Sequence, residues 1–291
     1  MFNGPYSMYH PVRGWALRSN VEKGAIHTNA KGLRGQVEYS YEKPLAKLRI
    51  AVLGDSFTFG DEVNDKETYP YYLGQILPGS EVLNFGVSGY GHDQMLLYLQ
   101  EEVAKYHPDI VILGFVPMDM ARNVLEYMHY PKPRFGLANK ELEVKNVPVP
   151  LVSSILRQEV YRLKILDLIS ALYTKYWMDK KQYINRKIRI TEAILDEMVK
   201  SIHACGAKPL LVYIFTPEHV KEIKQGQEVA TEEFLFKFCK TRKIPCLSTR
   251  QAFSNATQEV AHLKKSGHWD AWGNQAIAGT IKEYLLKKLA Q

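Results

Sequence analysis

The chain has 291 residues, 46% of them hydrophobic and 24% charged, and a formal net charge of +7. This is enough for one large domain or two small ones with a substantial core, and the composition excludes disordered and fibrous classes. The basic excess does not single out nucleic acid: Lys and Arg are spread among acidic residues, and the densest basic stretch, residues 175–189, reads as the solvated face of a helix.

Residues 1–46 are poor in periodic hydrophobicity, and Asn29 to Gly35 reads as turns, so this segment is expected to be an arm packed on the core. Residues 47–53 form a first strand, residues 69–77 a short helix stopped by Pro78-Gly79, and residues 81–85 a second strand that runs into the glycine-studded Gly86 to Gly91. Residues 92–106 are amphipathic, with Met95, Leu96, Leu99 and Val103 on one face, and residues 109–115 are nearly all apolar, as in a parallel strand covered on both sides. From about 117 to 150 the pattern breaks into a proline-bearing stretch without a period, read as a long irregular insertion that roofs a site. Helical patterns cover 152–175 and 183–205, a fourth strand 209–215, a helix 231–240, a short fifth strand 244–248 and a final helix 271–289. Strands alternating with helices imply right-handed crossovers and a mostly parallel sheet between helix layers, in a single domain from residue 47 to 291.

Three cysteines, Cys205, Cys239 and Cys246, are an odd number without metal-ligand spacing; they read as buried or partly buried thiols in a reducing compartment. No apolar run approaches the roughly 18 residues that a bilayer span needs, and Met1 to Tyr9 lacks the charged and apolar regions of a signal peptide. The expected location is cytoplasmic. No His/Cys/Asp/Glu cluster has metal spacing and no glycine motif has nucleotide-binding spacing, so no metal, cofactor or nucleic acid is expected.

The chemistry concentrates in two places. Gly54-Asp55-Ser56-Phe57 follows the first strand and puts a serine hydroxyl at the carboxyl edge of the sheet, where open α/β sheets bind ligands. Far downstream, Ser266-Gly267-His268-Trp269-Asp270 precedes the last helix and offers a histidine base. His92, His107 and His219 are read as structural, with His92 exposed at the start of its helix.

These residues resemble the SGNH, or GDSL-type, hydrolases, and the likeness runs from about residue 47 to the C-terminus. The resemblance implies a three-layer α/β/α sandwich with a flavodoxin-like, five-stranded sheet, and hydrolysis or transfer of acyl esters. It implies that Ser56 is the nucleophile, that His268 is the general base, and that the backbone N–H groups of Ser56 and Gly89, in Asn84-Phe85-Gly86-Val87-Ser88-Gly89, form the oxyanion hole.

Two positions depart from the family pattern. Gly-x-Asn-Asp usually follows the third strand, and its asparagine donates to the oxyanion; here Met118 stands in the asparagine's place and donates nothing, with Asp119 after it as a local acceptor and Asn123 as a substitute donor. An aspartate two or three residues before the histidine normally orients the ring; here those positions are Ser266 and Lys265, which leaves Ser266, Asp270 or a backbone carbonyl to hold it, and Asp55 as a further supporting carboxylate. Three functions follow from this pattern: an esterase cleaving a small-molecule or carbohydrate ester, possible acetyl esters included; an O-acyltransferase that passes the acyl group to a sugar; and a binding protein that kept the fold and lost the reaction.

Overall fold

The computed structural model describes residues 5–45, 47–128, 130–139, 141–151, 180–216, 219, 230–254 and 267–289. Two short antiparallel hairpins open the chain: β1 (Ser7–His10) with β2 (Gly14–Leu17), and β3 (Glu22–Lys23) with β4 (Ile26–His27). β2 is buried along its length, and Trp15 and Leu33 belong to the main core, so the N-terminal segment lies against the sheet-and-helix body.

The body then follows: β5 (Leu48–Gly54), the single turn α1 (Ser56–Phe59), α2 (Tyr69–Ile76), β6 (Ser80–Gly86), α3 (His92–Glu101), β7 (Ile110–Phe115) and α4 (Asp119–Arg122). After it come β8 (Arg134–Ala138), β9 (Glu141–Lys145), α5 (Lys180–Ala204), β10 (Lys208–Tyr213), α6 (Ala230–Arg242), β11 (Cys246–Ser248), α7 (Arg250–Ser254) and α8 (Ala271–Leu289).

Five of these strands form one sheet in the order β6-β5-β7-β10-β11, and every neighbouring pair is parallel. Counting only these five in chain order, the arrangement is 2-1-3-4-5, the flavodoxin-like topology. The chain reverses its direction of growth between β5 and β7, so the crevice at their carboxyl ends is the topological switch point. Helix α2 packs on α8, and α3 packs on α5. With right-handed crossovers, the reversal puts these pairs on opposite faces, giving three layers. Residues Ile50 to Leu53 of β5 and Val111 and Ile112 of β7 are completely buried, as an apolar run covered on both faces requires.

The stretch expected to be an irregular insertion contains an ordered β-hairpin, β8 with β9, which packs on α5. Its signal is short: Phe135 and Leu137 alternate with non-core positions, and so do Leu142 and Val144. In register, Phe135 faces Val144 and Leu137 faces Leu142, with Asn139 at φ +50° in the turn. The helix read over 152–175 lies outside the described residues. Among the described residues, no helix is long and apolar enough to cross a membrane.

One buried charge pair ties this insertion to the body. Lys132 is completely buried; its ammonium group donates to the carboxylate of Asp93 on α3, which is also completely buried, and to the carbonyl oxygens of Arg122, Leu125 and Pro133. Burial lowers the lysine's pKa and raises the aspartate's, and the pairing opposes both shifts. Removing one partner strands the other charge in the interior, so Lys132→Met is expected to lower stability by about 3–5 kcal/mol. The urea midpoint measures this, and Asp93→Asn added to Lys132→Met is expected to recover part of the loss.

Candidate active site

Strand β5 ends on Gly54, and the chain turns at once into α1. Asp55 caps this turn by accepting a hydrogen bond from Phe57 N at 2.9 Å, and Gly60 closes it at φ +83°. The turn sits directly on the sheet edge. Gly54 and Gly86 are register partners on β5 and β6. A Cβ on Gly54 would lie 1.9 Å from Thr58 Oγ1, and one on Gly86 would lie 2.1 Å from Phe59 N. The side chain of Asn84 fixes the same contact, donating to Thr58 O at 2.9 Å and accepting from Gly86 N at 2.9 Å. The Thr58 hydroxyl is 2.8 Å from the Tyr69 hydroxyl on α2.

His268 reaches this turn from the other end of the chain. Its Nε2 is 2.8 Å from Ser56 Oγ, and its ring lies against Phe57 with centroids 4.8 Å apart. The neighbouring residues hold it there. Trp269 is buried, donates through Nε1 to Phe215 O at 2.7 Å and stacks on Phe253 at 4.3 Å. Asn274 accepts from Tyr69 N at 3.0 Å and donates to Asp270 O at 2.9 Å, which links the histidine loop, α8 and the start of α2. Asp270 Oδ1 accepts from Gly273 N at 3.2 Å, the bond of an N-cap on α8. Ser266 and Lys265 lie outside the described residues.

The loop after β6 lies beside the Ser56 turn, with Val87 N bonded to Gly54 O at 3.1 Å. Gly89 adopts φ +82°, a conformation that favours glycine, and a Cβ there would lie 3.4 Å from the Trp15 ring. Trp15, from the N-terminal hairpin, donates to Ser88 O at 3.1 Å and so braces this loop.

Behind the serine lies a group that the sequence did not point to. Arg122 on α4 donates through one nitrogen to Asp55 Oδ2 at 3.0 Å, to Asp119 Oδ1 at 2.5 Å and to Tyr90 O at 2.8 Å. Both carboxylates are completely buried. Burial, and next the charge of Asp55, holds the Asp119 carboxyl well above the ordinary carboxylate range, with Arg122 pulling it down. Asp55 Oδ2 is 3.4 Å from Ser56 Oγ, farther than the histidine nitrogen. Arg122 therefore clamps the segment after β7 to the cap of the serine turn. Its second terminal nitrogen lies 3.2 Å from the sulfur of Met118.

The remaining expectations fall elsewhere. Asn123 is completely buried and its side chain is committed: it donates to Thr191 Oγ1 at 2.9 Å, contacts His92 Nδ1 at 3.2 Å and accepts from Asp93 N at 3.3 Å. The substitute donor read at Asn123 is thus replaced by a structural amide between α3, α4 and α5. His92 is not exposed. It is completely buried and stacked on Phe115 at 4.6 Å, and burial lowers its pKa to about 3. Its position at a helix start hid the contact, because Phe115 comes from the neighbouring strand end. Cys205, Cys239 and Cys246 are free thiols, Cys239 buried and the other two partly so. Among the described residues, no group of three or more His, Cys, Asp or Glu side chains is placed to hold a metal ion.

The model of the GDSL-like lipase/acylhydrolase family matches residues 52–276. The chain belongs to that family. Its matched span takes in the Ser56 turn, the Gly89 loop and the His268 loop. Solved structures similar to it include a member of the lipolytic G-D-S-L family from Veillonella parvula, at 11% identity over 82% of this chain and 98% of that one, TM-score 0.49. A GDSL-like lipase from Bacteroides thetaiotaomicron is 16% identical over 83% and 89%, TM-score 0.47. A catalytic mutant of an acetylxylan esterase from Geobacillus stearothermophilus is 14% identical over 81% and 92%, TM-score 0.47. No curated protein matches the chain.

Among the described residues, a hollow of about 620 Å³ beside α2 and one of about 730 Å³ between β8, β9 and α5 lie away from the serine. Neither is lined by Ser56 or His268, the hydroxyl and imidazole that the fold brings to 2.8 Å. Arg122→Met leaves Asp55 and Asp119 buried without their cation and is expected to cost about 3–5 kcal/mol at neutral pH. The loss shrinks in acid, where the stranded carboxyls take up protons. Urea unfolding at neutral and acid pH measures both.

Proposed function

We propose that the protein is a serine esterase that cleaves a small-molecule or carbohydrate ester through an acyl-serine intermediate. The observation that carries this reading is the 2.8 Å contact between Ser56 Oγ and His268 Nε2, made across the whole length of the domain. A hydrogen bond of that length between nucleophile and base is the geometry that nucleophilic catalysis needs.

In this mechanism Ser56 Oγ attacks the ester carbonyl carbon as His268 Nε2 takes the hydroxyl proton. The carbonyl oxygen becomes an oxyanion, held by the N–H groups of Ser56 and Gly89. The tetrahedral intermediate collapses, the C–O bond to the alcohol breaks, and His268 returns the proton to the leaving oxygen. Water then attacks the acyl-serine with the same base, releasing the acid and restoring Ser56. Asp55 and Arg122 touch no substrate in this scheme; they hold the turn that carries the nucleophile.

Met118 favours one other reading. The family asparagine's donor is missing there, and loss of one oxyanion donor costs on the order of 10²–10³ in rate, which suits a slow enzyme or a binding protein on the same fold. A sugar hydroxyl in place of the water that attacks the acyl-serine makes the enzyme an O-acyltransferase.

Hydrolysis of a short-chain aryl acetate by wild type, Ser56→Ala and His268→Gln distinguishes these. The expected outcome is turnover in wild type and a loss of at least about 10³-fold in each variant. Background rates in all three, together with no labelling of Ser56 by a fluorophosphonate, would support the binding protein. An acetylated sugar formed when an acceptor is added would support the transferase.

A further inference from the structure

Asp61 follows the Ser56 turn directly, and the mechanism above does not use it. Its backbone N–H donates to Ser56 O at 3.0 Å, so its position is fixed to the nucleophile's own peptide. Its carboxylate accepts a hydrogen bond from Ser88 Oγ at 2.7 Å, one residue before Gly89. It also borders, with Ser56, His268, Trp269 and Asn274, a tight gap at the site that is too small for water. We propose that Asp61 is a positioning residue for this reaction: its carboxylate faces His268 across that gap, stabilises the imidazolium formed when Ser56 gives up its proton, and through Ser88 holds the loop that carries Gly89. The proposal rests on the reading of Ser56 and His268 as nucleophile and base.

The chemistry has a clear need for such a group. His268 must carry a positive charge during acyl transfer, and a nearby carboxylate favours that charged form. The two residues that stand where the family carries its aspartate, Lys265 and Ser266, bring no carboxylate. Asp61 supplies the negative charge from a different place in the chain, on the turn after the nucleophile. Burial raises its carboxyl above the ordinary range, while the Ser88 hydroxyl and the charge of His268 draw it back. The other charged or titratable groups facing it are Asp55 from its own turn and Arg34 and Tyr6 from the N-terminal segment. Arg34 is buried, its guanidinium lies over the Phe59 ring at 4.7 Å, and it favours the ionised carboxylate.

The test is an NMR titration of full-length protein labelled with ¹³C at the histidine ring, with the His268 signal assigned from His268→Gln. Wild type, Asp61→Asn and Ser88→Ala are compared. Removing the carboxylate removes its support for the imidazolium, so the His268 signal is expected to titrate at a lower pH in Asp61→Asn than in wild type. Ser88→Ala keeps the charge, so it is expected to leave most of that pKa in place while lowering turnover. In wild type the His268 signal is expected to show a second, acid-side inflection as Asp61 titrates. An unchanged His268 pKa in Asp61→Asn would overturn the proposal; if that variant does not fold, absence of the wild-type inflection would do so. The titration reads the pair whether or not Ser56 reacts. Fluorophosphonate labelling of wild type separately tests the nucleophile, so failure of either idea is distinguishable from failure of the other.

Discussion

The site depends on how closely one helical turn approaches the sheet. Ser56 to Phe59 lies against the carboxyl ends of three adjacent strands, β5, β6 and β7, and each of those strands carries a glycine at the contact. At Gly54 and Gly86 a Cβ would lie within about 2 Å of Thr58 or Phe59 atoms; at Gly114 it would lie 2.8 Å from the hydroxyls of Thr58 and Tyr69. Side chains at these three positions would lift the turn off the sheet. With them absent, Ser56 sits at the topological switch point, low enough for the His268 loop to reach it from the start of α8 and for the Gly89 loop to lie alongside.

The electrostatics follow the same plan. Several buried cations tie a loop to the body: Arg122 to Asp55 and Asp119, Lys132 to Asp93, and Arg49 to Glu81 and to the backbone near Tyr41. Such pairs bring modest net stability, because desolvation offsets much of the attraction. Their effect is geometric, since a cation with carboxylate and carbonyl partners on different segments fixes where those segments meet. Arg122 does this directly behind Ser56. The N-terminal hairpin adds Trp15 against the Gly89 loop, so this segment is part of the wall of the site.

Much of this was legible in the sequence. The apolar runs at 48–53 and 110–115 and the helices between them announced a parallel sheet, and the Gly-Asp-Ser and Gly-His-Trp-Asp segments marked the two loops that the fold brings to 2.8 Å. The hairpin β8–β9 was obscured because each strand offers only two alternating apolar residues, too few to stand out among the prolines. Arg122 and Asp61 were invisible for another reason. What marks them are contacts between segments, to Asp55 and Tyr90 for one and to Ser88 for the other, and neither residue type is unusual where it stands. His92 was misplaced on the same ground, since periodicity along one helix does not reveal an aromatic ring arriving from a strand end.

The central claim is that Ser56 carries the acyl group. Intact-protein and peptide mass spectrometry of wild type, quenched in acid within the first turnovers of an activated acetate ester, tests it most directly. The account predicts a mass increase of one acetyl group, confined to the peptide that contains Ser56 and absent from Ser56→Ala. Ester turnover with the acetyl group on another residue, or with no adduct at any quench time and none trapped in His268→Gln, would contradict it.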